Sequence, residues 1–337
     1  MPAYVPIMKN KFAEFWAWKH ASPPVVSGSR VLFELVPGTD VNKFAHTLVR
    51  NWPPGAVVTV DSTAINHPAS AVLQVAQALH QSHVPERPVM RLSDSQRVLA
   101  EVAAACALHG QGACLRLGSE TEDPNPNVPT PQVAQVLSAA GLRSHDVDLL
   151  IDFWEIDSLR DVTRCVPLAL GMLVWAAANG PWRSVTLASG AFPQSITNLP
   201  VGAATPLTRH DAELFAQVVA AAPAIQPDYG DYGINHPFIQ PPIPRAPKPN
   251  LRYADGNVWQ VYREDKLLPG NESFFTVCAR VVASGHWAGT AYSAGDTEIE
   301  RYSRSDGGPG GATQWLACGR SHHMAHVVDR LANRGVP

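Results

Sequence analysis

The chain has 337 residues, 45% of them hydrophobic and 16% charged, with a formal net charge of −3. That length allows one large domain or two ordinary ones, and the composition supports a sizeable core, excluding wholesale disorder. The near-neutral balance excludes a global basic signature, so a sequence-independent grip on duplex DNA is not expected.

In chain order, Tyr4–Met8 reads as a short apolar strand, followed at once by Lys9, Lys11 and Glu14. A helix is predicted over Phe12–His20, closed by Ser22-Pro23-Pro24. Arg30–Leu35 is the second strand. Val41–Trp52 has helical spacing, and Ala56–Val60 is the third strand, running into Asp61. A helix over Ala69–His80 precedes the fourth strand, Pro88–Leu92. Ser93 is then a good N-cap for a helix that runs to about His109 and stops at Gly110. Gly112–Leu117 is the fifth strand. A polar loop, Glu120–Pro131, leads into a helix ending at Gly141. Val147–Asp152 is the sixth strand, Leu159–Asn179 a helix, and Ser184–Ser189 the seventh strand. Thr208 caps a helix over Arg209–Ala221, and Gln226–Pro237 arrives where an eighth strand is due.

Strands of this kind, apolar throughout and alternating with helices, are buried on both faces, which means parallel strands covered by helices. Eight such units in this length match a closed (β/α)₈ barrel; the alternative is an open doubly wound sheet. The absence of G-x-G-x-x-G after the first strand weakens a dinucleotide-binding reading. Residues 1–237 are expected to form the barrel core. Residues 238–337 are expected to pack on it within one domain: a Pro-rich loop over Phe238–Asn250, a hairpin around Asp255-Gly256-Asn257, a helix over Glu272–Ser284, a Gly-rich loop at 306–311 and a last helix over Ser321–Asn333.

The strand ends carry the polar residues. Lys9, Glu34, Asp61, Arg91, Arg116, Asp152 and Ser189 recur at one end of otherwise apolar strands, the end where barrels place their sites. By period two, Glu34 follows Leu32, Arg91 follows Val89 and Asp152 follows Leu150 onto one face. The eighth unit adds Asp228, Tyr229, Asp231, Tyr232 and His236. Two readings compete: a buried ion-pair network, or a mouth that binds ligand. In the second, Lys9, Lys11, Arg91 and Arg116 clamp an anion, with Ser189, Tyr229 and Tyr232 as further contacts. Glu34, Asp61, Asp152, Asp228 and Asp231 would hold a hard cation such as Mg²⁺ or act as acid and base. These chemistries together suit a phosphate ester. If the chain is an enzyme, hydrolysis by Asp152, Asp231 and His236 is the expectation. The rival is a non-catalytic module that meets a protein or nucleic acid through residues 238–263.

His322 and His326 have i, i+4 spacing, which suits a metal or polar ligand, or plain surface histidines. Trp154, just after Asp152, is placed to flank the mouth. H-E-x-x-H, P-loop and G-x-S-x-G motifs are absent. Five cysteines without C-x-x-C read as reduced, buried thiols. The N-terminus lacks a signal-peptide pattern, and the apolar run Val166–Ala178 is short for a bilayer, so a soluble, cytoplasmic protein is expected.

A family resemblance rests on Tyr4-x-Pro6-x-x-Lys9-x-Lys11-x-x-Glu14, Phe33-Glu34, Val89-x-Arg91 and Leu115-Arg116. It continues through Asp228-Tyr-Gly-Asp-Tyr-Gly-Ile-x-His236-Pro, Asn250-Leu-Arg-Tyr253, Gly310-x-Ala-Thr-x-Trp315 and His322-His323. Nearly the whole chain resembles the phage "beta protein" family known from phage T4. Gly311 and Ser321 stand where that pattern has Asn. The resemblance implies a phage-related protein with a role in phage–host conflict, and it carries over no catalytic residue.

Overall fold

The computed structural model describes residues 2–65, 68–118, 120–239, 248–265 and 271–337. Eight parallel strands close into a barrel: β1 (Tyr4–Lys9), β2 (Leu32–Glu34), β3 (Val58–Asp61), β4 (Glu86–Met90), β5 (Ala113–Leu117), β6 (Val147–Glu155), β7 (Ser184–Gly190) and β9 (Asp228–Asp231). The ring is closed by β9, which pairs Leu187 with Tyr229 on one side and Tyr4 with Tyr229 on the other. This excludes the open sheet.

Outside the barrel lie α1 (Phe12–Lys19), α2 (Pro23–Gly28), α3 (Val41–Asn51), α4 (Pro68–Gln81), α5 (Gln96–His109), α6 (Thr130–Ala139), α7 (Leu159–Ala178) and α8 (His210–Ala220). Their starts follow local chemistry. Asp40 caps α3 by accepting from the Lys43 N–H, and Ser158 caps α7 through the Asp161 N–H. The α5 cap is Ser95, not Ser93; its hydroxyl accepts from the Val98 N–H, and Gly110 ends the helix at φ +66. Pro23-Pro24 does not merely end α1: Pro23 occupies the first turn of α2, where a missing N–H costs nothing. By length and composition α7 could cross a membrane, yet it is the barrel's outer helix, with Val162, Cys165, Ala169, Met172, Leu173 and Ala176 buried.

Alternation along the strands separates two cores. The outward set, including Tyr4, Met8, Phe33, Leu115, Leu149, Leu187 and Tyr229, packs under the helices. The inward set is Ile7, Leu32, Val89, Cys114, Leu150, Trp154, Ala188 and Tyr232. All five cysteines are free and buried; burial pushes the Cys106 and Cys114 thiols up to about 12.

The C-terminal part is more extensive than the sequence reading. The hairpin β10 (Asn250–Asp255) and β11 (Val258–Arg263) turns at Gly256, φ +59, and β11 also pairs with β8 (Thr205–Thr208), a strand where the sequence predicts loop and helix cap. Two helices follow, α9 (Ser273–Val282) and the unforeseen α10 (Ala294–Ser303). The last helix, α11 (Ala312–Arg334), starts well before Ser321, so His322 and His323 lie buried in mid-helix. One face of the hairpin packs Leu251, Tyr253 and Tyr262 against the helices, and the other packs Ala254, Trp259 and Val261 against Phe192 and Ile234. Both faces of the hairpin are thus packed within the chain. Most of the Pro-rich loop, 240–247, lies outside the described residues.

Candidate functional site

Register builds the mouth. Lys9 lies opposite Glu34, and Glu34 opposite Asp61, so three neighbouring strands end in one row of charged side chains. Arg91 follows β4 directly. Arg116 and Asp152 come up from β5 and β6 on the inward face. A β-irregularity between Asp152 and Glu155 brings Trp154 to φ +52, a left-handed conformation rare for a bulky residue. The Trp154 N–H donates to Asp152 Oδ1 at 2.9 Å.

The centre of the mouth is Arg116, whose side chain is fully buried. Its Nε and Nη2 donate to Asp152 Oδ2 at 2.9 and 2.5 Å, and Nη1 lies 2.7 Å from Asp61 Oδ2 and 2.8 Å from Glu34 Oε1. Nη2 also donates to the Tyr232 hydroxyl at 2.5 Å, and that hydroxyl donates to Asp152 Oδ2 at 2.7 Å. The guanidinium lies over the Trp154 ring, 4.5 Å from its centre. Thus the carboxylates converge on a guanidinium where a metal site would converge on an ion. Among the described residues no group of three or more His, Cys, Asp or Glu side chains is placed to hold a metal.

The outer ring is also paired. Lys9 is ion-paired with Glu34 and donates to the Pro237 carbonyl at 2.6 Å. Arg91 Nη2 donates to Asp61 Oδ2 at 2.6 Å and its Nε to Thr63 Oγ1 at 3.2 Å. Burial pushes the Asp61 carboxyl up, but Arg91 and Arg116 overcome that and hold it well below the usual carboxylate range. Burial likewise works against the Arg116 charge, and Tyr232, Asp152, Glu34 and Asp61 more than reverse it. A cavity of about 410 Å³ opens above this network, walled by Lys9, Glu34, Asp61, Arg91 and Trp154.

Several expected members are elsewhere. Asp231 takes the opposite face of β9: its Oδ1 accepts from the Tyr4 hydroxyl at 2.6 Å and the Gly233 N–H at 2.9 Å, and its Oδ2 from His323 Nε2 at 2.8 Å. Tyr229 shares that outward face, accepting from Arg209 Nη2 at 3.1 Å and donating to Asp211. Asp228 opens β9 at the far end of the barrel and pairs with Arg30. Ser189 is on the outward face of β7 by alternation with Leu187, and Lys11 is exposed ahead of α1. His236 sits at the edge, 2.8 Å from Glu155, with its other ring nitrogen accepting from the Phe238 N–H. Sequence reasoning missed Glu155, although it is the first acid after Asp152, and also missed Thr63 and Ile239 of the cavity wall.

His322 and His326, which share helical spacing, are buried or half-buried and serve polar contacts within the chain. His322 spends Nδ1 on Asp296 at 2.9 Å and Nε2 on the Ala254 carbonyl at 2.8 Å, and His326 Nε2 lies 3.2 Å from the Gly256 carbonyl.

Fold and site together define a (β/α)₈ barrel with a charged, internally paired mouth. The chain belongs to the Beta protein family, whose family model matches residues 4–329. Among solved structures it is similar to a putative fructose-1,6-biphosphate aldolase from Coccidioides immitis at 13% identity and TM-score 0.39, covering 68% of this chain and 76% of that one. It is also similar to triosephosphate isomerase from Bartonella henselae at 11% identity and TM-score 0.35, covering 69% and 92%. None of the curated proteins matches it.

Proposed function

We propose that the barrel mouth binds a small ligand through an anionic group, most simply a phosphate ester, and that binding rather than hydrolysis is its role. The observation that carries this reading is the meeting of Lys9, Arg91 and Trp154 on one cavity at the C-terminal strand ends. A lysine ammonium has three donors and an arginine five. Lys9 uses donors on Glu34 and Pro237, and Arg91 reaches the Gly118 carbonyl only at 3.5 Å, so each keeps capacity for a ligand oxygen. Trp154 supplies an apolar wall. Two of the three residues expected to carry hydrolysis are committed elsewhere. Asp152 has both oxygens engaged, and Asp231 faces out of the barrel.

The test is a thermal-shift and calorimetric titration with glycerol phosphate, in the wild type and in Arg91→Ala. Binding that disappears in the variant, with its melting temperature little changed, supports the reading. Binding that survives Arg91→Ala, or no binding by the wild type, overturns it.

A further inference from the structure

A second cleft, of about 630 Å³, opens between α1 and α3, beside the C-terminal ends of β1 and β2. Its walls are two facing stripes at helical spacing. Phe12, Trp16 and Lys19 come from α1; Lys43, Thr47 and Asn51 come from α3 one turn apart.

Its electrostatics are the reverse of the mouth's. There every cation has a carboxylate partner: Lys9 has Glu34, Arg91 has Asp61, and Arg116 has Glu34, Asp61 and Asp152. Lys19 and Lys43 are exposed, and among the described residues neither side chain has an acidic partner. The one carboxylate on the described wall, Asp40, has Oδ1 committed to the Lys43 backbone N–H. Phe12 is 53% exposed and lines the cleft, as does Trp16. Aromatic surface and ammonium groups without acidic partners thus share one concave wall. A nucleotide is complementary to both: its base stacks on the rings and its phosphate pairs with the lysines.

We propose that the α1–α3 cleft is a ligand site distinct from the mouth, and that it takes a nucleotide, free or within a single strand. The base lies against Trp16 and Phe12, and the phosphate is held by Lys19 and Lys43.

Calorimetric titration with AMP, with a short oligothymidylate and with inorganic phosphate tests this. AMP or the oligothymidylate should bind, and inorganic phosphate should bind about tenfold more weakly or worse, since it lacks a base to stack. The double variant Lys19→Glu/Lys43→Glu, which changes only exposed side chains, should abolish binding. Trp16→Ala should weaken it about tenfold. If Trp16→Ala unfolds by circular dichroism, the lysine variant carries the test alone. Tighter binding of the oligothymidylate identifies a strand as the source, and tighter AMP binding a free nucleotide. The proposal is overturned if neither binds, if phosphate binds as tightly as AMP, if the charge reversals leave affinity unchanged, or if Arg91→Ala in the mouth removes nucleotide binding.

Discussion

Arg116 Nε and Nη2 both reach the same oxygen of Asp152, Oδ2, at 2.9 and 2.5 Å, leaving Nη1 to bridge Glu34 and Asp61. One guanidinium therefore holds three carboxylates in the barrel interior. Removing it leaves Asp152 buried without a cation, which costs roughly 3–5 kcal/mol. Arg116→Ala should lower unfolding free energy by about that much in urea denaturation. Arg91→Ala, whose partner Asp61 retains Arg116, should cost about 1 kcal/mol. Equal losses in the two variants would refute a central role for Arg116.

A second prediction concerns Glu86. Its side chain is buried at the start of β4, and Oε2 has no hydrogen-bond partner. Burial raises its pKa from 4.5 to about 8. The folded state therefore binds a proton that the unfolded state releases, so stability falls as pH rises from the unfolded value toward about 8 and is constant above it. Glu86→Gln should raise the melting temperature at pH above 8 and leave it nearly unchanged below the unfolded value. A pH-independent effect in thermal scans would sink this account.

Gly233 offers a backbone test. It has φ +63, and a Cβ there would lie 1.3 Å from Arg320 Nη1. Gly38, φ +79, has open space at the same point. Both Gly→Ala changes carry the left-handed penalty of about 1 kcal/mol, but only Gly233→Ala also displaces a buried arginine. Its loss in chemical denaturation should exceed that of Gly38→Ala by about 2 kcal/mol.

Asp231 separates fold from function. Burial pushes its carboxyl up, and His323 and Arg209 reverse this, holding it below the usual range. Its share of stability is present above the unfolded carboxylate pKa and is lost as pH falls toward the folded value. Asp231→Asn should destabilise the protein at neutral pH, with the difference from wild type shrinking in acid, and should leave glycerol phosphate binding intact. Loss of binding in a folded variant would return Asp231 to the mouth.

Much of this is legible in the sequence. Apolar runs such as Val147–Ile151 are buried on both faces and announce parallel strands, and the period-two rule placed Glu34, Arg91 and Asp152 correctly. On β9 the rule has nothing to work with, because Asp228, Tyr229 and Asp231 put polar groups on both faces. Hydrophobicity then has no contrast with which to choose a face. Thr205–Thr208 was illegible as a strand because it is short, contains Pro206 and pairs with residues some fifty positions away. The Asp231–His323 contact spans 92 positions, a distance over which local pattern says nothing.

The last helix has a consequence for how the chain comes to be made. Arg320 on α11 pairs with Glu14 on α1 and donates to the Ile7 carbonyl of β1 at 3.2 Å, across 313 positions. During synthesis the first strand and helix emerge long before the residue that neutralises buried Glu14. A nascent chain, or one severed after the barrel's eighth strand, must keep that carboxylate wet and the Tyr4 side of β1 uncovered until α11 is delivered. The barrel's first element is thus the last to be sealed, and shortening the C-terminus should be felt first at the N-terminus.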